Sequence, residues 1–342
     1  GEPARQAWQV PSLRENGEMT KSPTCSASCG ATRAPSPIDR TLDFSVITAP
    51  EARDPALAAT IAGTRRNERY LPGVVLVDAI EATADLDQAA ASGTLLLAVP
   101  AQHVRAMAKR LAPLLAPTTP VVICAKGLEQ ATGLRLSEVL AESAATALPA
   151  VLSGPGFAGE VARGLPTAIT LAAGRLSDAE DLARAIGHRG LRIYWSDDMT
   201  GVELGGALKN VLAIAAGIVA GRALGASAHA AIVTRGFAEM TRLALRCGAR
   251  AETLAGLSGL GDLVLTASNP QSRNMSLGLR LGQGETLAAI LASRRSVSEG
   301  VWTAGAAVAL APRQLAQHAQ LEVAAIEEAG ERVCNRGGEE QV

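Results

Sequence analysis

Seven short, nearly continuous apolar runs mark the chain between residues 44 and 195. They cover residues 44–49, 74–77, 94–99, 121–125, 151–153, 168–171 and 191–195. Between them, residues 84–91, 102–115, 133–145 and 177–186 carry apolar positions at helical spacing. Short apolar strands alternating with amphipathic helices predict a sheet covered on both faces, mostly parallel and of Rossmann type. Past Thr200 the strands stop. Residues 201–224, 228–247, 251–257, 271–281, 286–293 and 302–311 all read as helices, so an all-helical part follows the sheet. The first 43 residues show neither period and hold five of the six prolines found in the first 50 positions, which predicts disorder there. The expected organisation is an unassigned segment 1–43, a Rossmann-like cofactor domain 44–199, a helical substrate domain 200–311 and a divergent tail 312–342.

Composition narrows the function. Apolar residues make up 48% of the 342 and charged residues 19%, enough to bury a large core. A formal net charge of -1, from 32 basic against 33 acidic residues, removes the electrostatic case for nucleic acid or an anionic membrane as partner. The central apolar run, residues 211–221, is too short to cross a bilayer, so no membrane insertion is expected. Five cysteines without metal-ligand spacing, and no charged-then-apolar leader, lead to a reduced, cytoplasmic setting with no metal.

Only four basic residues are lysines: Lys21, Lys109, Lys126 and Lys209. Lys209 lies within an apolar helix, where Gly205, Gly206, Leu212 and Ala213 are its neighbours at helical spacing. Such surroundings disfavour the charged form and suit a proton donor near neutrality, although a snorkelling lysine is the plainer expectation. Asp262, after the glycine-rich stretch 256–261, offers a carboxylate to hold Lys209, or alternatively caps the next helix. Ser272, Arg273 and Asn274 place a hydroxyl, a guanidinium and an amide at a predicted helix start, the donor set a phosphate needs. Lys126 closes the strand 121–125 at the sheet's carboxyl edge. Gly154-Pro-Gly156-Phe-Ala158-Gly159 matches a dinucleotide fingerprint, but Gly164-Leu-Pro166 breaks the helix after it. That loop reads better as a ligand-binding turn at a strand end.

Taken together these residues resemble the bacterial NAD(P)-dependent sn-glycerol-3-phosphate dehydrogenases. The resemblance spans about residues 53–311. It includes Asn-Glu-Arg-Tyr-Leu-Pro-Gly at 67–73, Leu-Ala-Val-Pro at 97–100, Ala-Lys-Gly-Leu-Glu at 125–129 and Ser-Gly-Pro-Gly-Phe-Ala at 153–158. It continues with Gly-Leu-Pro-Thr-Ala at 164–168, residues 201–216, Gly-Leu-Gly-Asp-Leu-Val-Leu-Thr at 259–266, Gln-Ser-Arg-Asn at 271–274 and Glu-Gly at 299–300. It implies reversible reduction of dihydroxyacetone phosphate to sn-glycerol 3-phosphate for phospholipid synthesis, with NAD or NADP as cofactor. Lys209 is then the general acid/base. Lys126, Gly154, Gly156, Asp262, Ser272, Arg273 and Asn274 bind substrate. Arg53, Lys126, Ala158, Arg273, Val297 and Glu299 face the cofactor, and an arginine at 53 would admit a 2′-phosphate. A homodimer is left open. The family's opening strand and its N-terminal glycine fingerprint have no counterpart here, so the sheet is expected to lack its first strand; Gly156 stands where the family has serine or threonine, and nothing after Ala311 matches. The alternative these departures suggest is an impaired or non-catalytic relative that binds triose phosphate without the dinucleotide.

Overall fold

The computed structural model describes residues 44–48, 55–293 and 298–310. The segments 1–43 and 312–342, and the candidate residues Arg53 and Val297, lie outside the described residues. Six strands form one sheet in the order β1(Phe44–Thr48), β2(Thr94–Ala98), β3(Pro120–Ile123), β4(Leu148–Ser153), β5(Thr167–Ala173) and β6(Leu191–Ser196). Strands β1 to β4 are parallel to one another, and β5 is parallel to β6.

The alternation of side chains along each strand explains why both faces are covered. Leu95, Leu97, Val121 and Ile123 point into one core, beneath α2(Leu86–Ala90), α3(Val104–Leu111) and α4(Leu136–Ser143). Val122, Ala150 and Leu171 point into the other, beneath α6(Leu176–Ile186). Helix α3 buries Val104, Met107, Ala108 and Leu111, an i, i+3, i+4, i+7 stripe. Residues on both faces are apolar because helices lie on both sides of the sheet.

One expectation is corrected. Residues 74–77 form no strand; Val75 makes one isolated bridge to Arg66, and Val75 and Val77 stay exposed. An apolar run with no neighbouring strand has no ladder to join. The sheet is mostly parallel, as expected, and its one antiparallel pairing among the described residues is that of β5 with β4. A parallel return needs a crossover long enough to span the sheet. Here α5(Ala158–Ala162) ends at Gly164, whose φ of 74° turns the chain back before Pro166.

Beyond β6 the described chain is helical: α7(Met199–Gly221), α8(Gly225–Arg246), α9(Ala251–Ala255), α10(Asp262–Ser268), α11(Arg273–Gly282), α12(Leu287–Ala292) and α13, residues 299–310. Helix α7 is long and apolar enough to cross a membrane by length and composition, but 56% of its apolar window is buried inside the molecule. It is the central rod on which α8, α9, α10 and α11 pack, and it also rests against β4 and β5. Asp198 starts it by accepting from Gly201 N at 2.8 Å, and its other oxygen accepts from Arg250 N at 2.9 Å.

Candidate active site

The carboxyl ends of β3 and β4 meet the middle of α7, and there a group of buried polar residues converges. Lys209 is 5% exposed, so it is a buried amine and not a snorkelling one. Its Nζ donates to Asp262 Oδ1 at 2.8 Å and to Thr266 Oγ1 at 2.6 Å. Asp262 is buried at the first position of α10, where Gly261 is the N-cap, so its carboxylate is free of capping duty. Its second oxygen accepts from Lys126 Nζ at 2.7 Å, and Lys126 also donates to Gly154 O at 2.8 Å. One carboxylate thus binds both lysines, one from the sheet edge and one from the helical layer.

Local structure explains how Asp262 reaches them. A single π turn, Leu257–Gly261, precedes α10, and such turns displace a helix locally. A side chain on Gly259 would collide with the Leu254 carbonyl, and one on Gly205 would come 2.9 Å from Ser258 O. Glycine at 205 lets the turn lie directly on α7, and glycine at 259 lets it fold back against α9.

Burial is the largest influence on Lys209 and pushes its pKa down to about 8; the neighbouring Lys126 charge acts the same way, and Asp262 opposes them. Removing an ammonium from water weakens it as a base, so this amine gives up its proton far more readily than an ordinary lysine.

The predicted phosphate clamp sits next to this group. Ser272 caps α11, accepting from Met275 N at 3.2 Å, and it is buried. Arg273 opens the helix and is exposed. Asn274 is buried, donating to Asn210 Oδ1 at 2.9 Å and accepting from Gly300 N at 3.1 Å. Gly154 is buried, with a φ of 148°, and a side chain there would strike the Ile169 backbone at 2.8 Å. Gly156 lies exposed on the same loop, and Ala158 is exposed at the start of α5.

Two participants were not singled out from the sequence. Thr266 lies one helical turn after Asp262, so the i, i+4 rule applied to α10 finds it. Asn210 follows Lys209 and ties α7 to α11; only its neighbour in sequence hinted at it.

The residues present offer the dinucleotide partners at one end of the cleft. Glu299 accepts from Ala101 N at 3.0 Å through one oxygen, while Oε2 is enclosed without a partner among the described residues. Burial raises the Glu299 pKa, against the Ala101 bond and the Arg273 and His103 charges. Gly127 packs closely beside it: a Cβ there would lie 2.9 Å from Ala101 Cβ, 3.4 Å from Thr303 Oγ1, which is also unpartnered, and 3.6 Å from that oxygen. A carboxyl and a hydroxyl awaiting partners fit the carboxamide end of a nicotinamide. For the pyrophosphate, residues 49–54 read Ala-Pro-Glu-Ala-Arg-Asp and supply no glycine.

A Rossmann-like sheet whose carboxyl edge faces a helical layer bearing a buried lysine defines a nicotinamide-dependent oxidoreductase. The family models agree in finer detail. The model of the NAD-dependent glycerol-3-phosphate dehydrogenase N-terminus matches residues 49–179, and that of the C-terminus matches residues 198–338, past Ala311. The chain belongs to the NAD-dependent glycerol-3-phosphate dehydrogenase family. It is 57% identical over 260 residues to the glycerol-3-phosphate dehydrogenase (NAD(P)+) of Parvibaculum lavamentivorans, covering 76% of this chain and 78% of the other. Against the Rhodospirillum rubrum enzyme of that name it is 54% identical over 263 residues, 77% and 75% of the two chains. The Coxiella burnetii glycerol-3-phosphate dehydrogenase structure superposes with a TM-score of 0.75 at 34% identity, over 81% of this chain and 91% of that one.

Proposed function

We propose that this chain reversibly reduces dihydroxyacetone phosphate to sn-glycerol 3-phosphate with NAD or NADP, in the cytoplasm, in service of phospholipid synthesis. The observation that carries the mechanism is the buried Lys209 bonded to Asp262. NAD(P)H, when bound, supplies a hydride to the ketone carbon. Negative charge then grows on the ketone oxygen, and the Lys209 ammonium stabilises it and donates the proton. Asp262 and Thr266 accept two of the three N–H bonds of Lys209 and aim the third. Lys126, held by Asp262 and Gly154, adds a second positive charge beside the substrate. Ser272, Arg273 and Asn274 grip the phosphate, far from the bond change, and hold the ketone in line. Gly154 and Gly156 let the substrate approach the backbone of their loop. Glu299, Ala158, Arg273 and Lys126 would hold the cofactor, joined by Arg53 and Val297. Residues 44–199 serve as the cofactor domain and residues 200–311 as the substrate domain. Two free thiols, Cys124 and Cys247, suit a reducing compartment.

The test is oxidation of NADH or NADPH by purified protein, driven by dihydroxyacetone phosphate. Turnover abolished in Lys209→Ala supports the reading. Binding of the triose phosphate without nucleotide-dependent turnover overturns it.

A further inference from the structure

Glu203 lies on α7, seven residues before Asn210 and so on the same face of the helix. It is buried, with a side chain 5% exposed, and it has no role in the mechanism above. Both of its oxygens are engaged by the first turn of α4: Oε1 accepts from Ser137 N at 2.8 Å and Oε2 from Ser137 Oγ at 2.5 Å. Arg135, the residue before α4, stands 3.7 Å from Oε2 and donates to Thr200 Oγ1 of α7 at 2.5 Å. Burial is the main influence on the Glu203 carboxyl and raises its pKa; Ser137 and Arg135 act against this, and Glu138 with it. A buried carboxylate costs stability unless its partners are well placed, and these partners all belong to one short segment of the sheet layer.

That segment is the far end of the loop carrying Lys126. The loop leaves β3, passes through Lys126 and closes on itself where Leu128 bridges Arg135 and Glu129 N donates to Leu134 O at 3.0 Å. Its near end meets α7 through Leu128, buried in one cluster with Leu204, Ala207 and Leu208, and through Asn210 Nδ2 at 3.5 Å from Lys126 O. Its far end is locked to α7 by Glu203. We propose that Glu203 is a positioning residue of the active site: by gripping Ser137 it fixes the Lys126 loop against α7 and thereby sets the separation of Lys126 from Lys209. The groups that face Lys209 are Asp262 and Thr266 of α10, Lys126 of this loop, and Arg273 of α11. Among them, Lys126 is the one whose distance Glu203 controls. Loosening the loop takes a positive charge away from Lys209 and leaves it a larger share of Asp262, and both changes favour the protonated amine.

The proposal rests on the dehydrogenase reading, but its decisive measurement needs neither substrate nor cofactor. The chain has four lysines, so protein labelled with ¹³C-lysine gives few side-chain signals, and exposed Lys109 serves as an internal reference. In Glu203→Ala, the titration midpoint of Lys209 is expected to rise from about 8 by about half a pH unit or more. Lys109 is expected to stay in place. Glu203→Gln, which keeps an acceptor for Ser137 N and a donor for its hydroxyl, is expected to restore the parent midpoint. Ser137→Ala should shift it in the same direction as Glu203→Ala by a smaller amount, and this milder variant decides the matter should Glu203→Ala fail to fold. In the active enzyme, the high-pH limb of dihydroxyacetone phosphate reduction is expected to move with the Lys209 midpoint. A folded Glu203→Ala, or a Ser137→Ala, with an unmoved Lys209 midpoint overturns the proposal, even where the melting temperature falls. Failure of the parent chain to turn over dihydroxyacetone phosphate instead overturns the functional reading and leaves the titration to judge Glu203 by itself.

Discussion

Lys209 carries a proton that it can release near neutrality because water has been excluded from it and a second lysine shares its carboxylate. Replacement by alanine is expected to lower kcat for ketone reduction by roughly 10²–10⁴, the range for a positioned proton donor, with KM changed much less; steady-state kinetics measure both. The pH dependence follows from the direction of the shift. In the proposed mechanism reduction uses the ammonium, so its rate should fall as pH rises through about 8, while oxidation of sn-glycerol 3-phosphate uses the neutral amine and should rise over the same window. The folded pKa lies below the ordinary 10.5, so between the two values the unfolded chain binds more protons and this group makes the fold more stable as pH rises. At this scale the sequence was informative about residue types. Lysine is scarce in the chain, and one inside an apolar helix stands out. Thr266 was less legible, because a threonine on a helix gives no sign of which lysine lies above it.

The elements decide whether those residues meet. Ser272 begins α11 and belongs to the proposed phosphate clamp, so Ser272→Ala should cost about 1 kcal/mol of stability and raise KM for the phosphorylated substrate. Calorimetry and kinetics read the two effects separately. Helices α7 and α11 touch backbone to backbone: a side chain on Gly217 would strike the Met275 carbonyl, and one on Gly278 the Ile214 carbonyl. Gly278→Ala is therefore expected to destabilise the protein by about 1–3 kcal/mol, seen in denaturant unfolding, because neither helix can yield without moving the clamp. Most elements were legible as periodic runs, since burial on one face or two imposes the period. The strand expected at 74–77 was not realised because strand formation requires a neighbour, and no local pattern reveals one. The antiparallel β5 was equally hidden; its cause, a helix cut short at Gly164, was readable, but not its consequence for direction.

For the molecule as a whole, ligand binding and stability are linked. A phosphorylated substrate that binds only the folded chain should raise the melting temperature, with about 2.7 kcal/mol gained at a hundredfold excess over Kd. Titration of sn-glycerol 3-phosphate against thermal unfolding measures this, and Arg273→Ala is expected to remove most of the effect. The sequence by itself determined the alternation of strand and helix, the switch to helices after Thr200, the family, and the residue types that carry charge at the sheet's edge. These depend on local periodicity and on short ordered motifs, which a linear chain displays. Only the tertiary structure decided that one carboxylate holds two lysines separated by 83 positions, that Asn210 joins two helices, and that Glu203 ties the sheet layer to the helix carrying Lys209. Such pairings arise from the packing of distant elements around α7, where excluded water makes each partner obligatory, and nothing in the neighbouring sequence of either residue specifies the other.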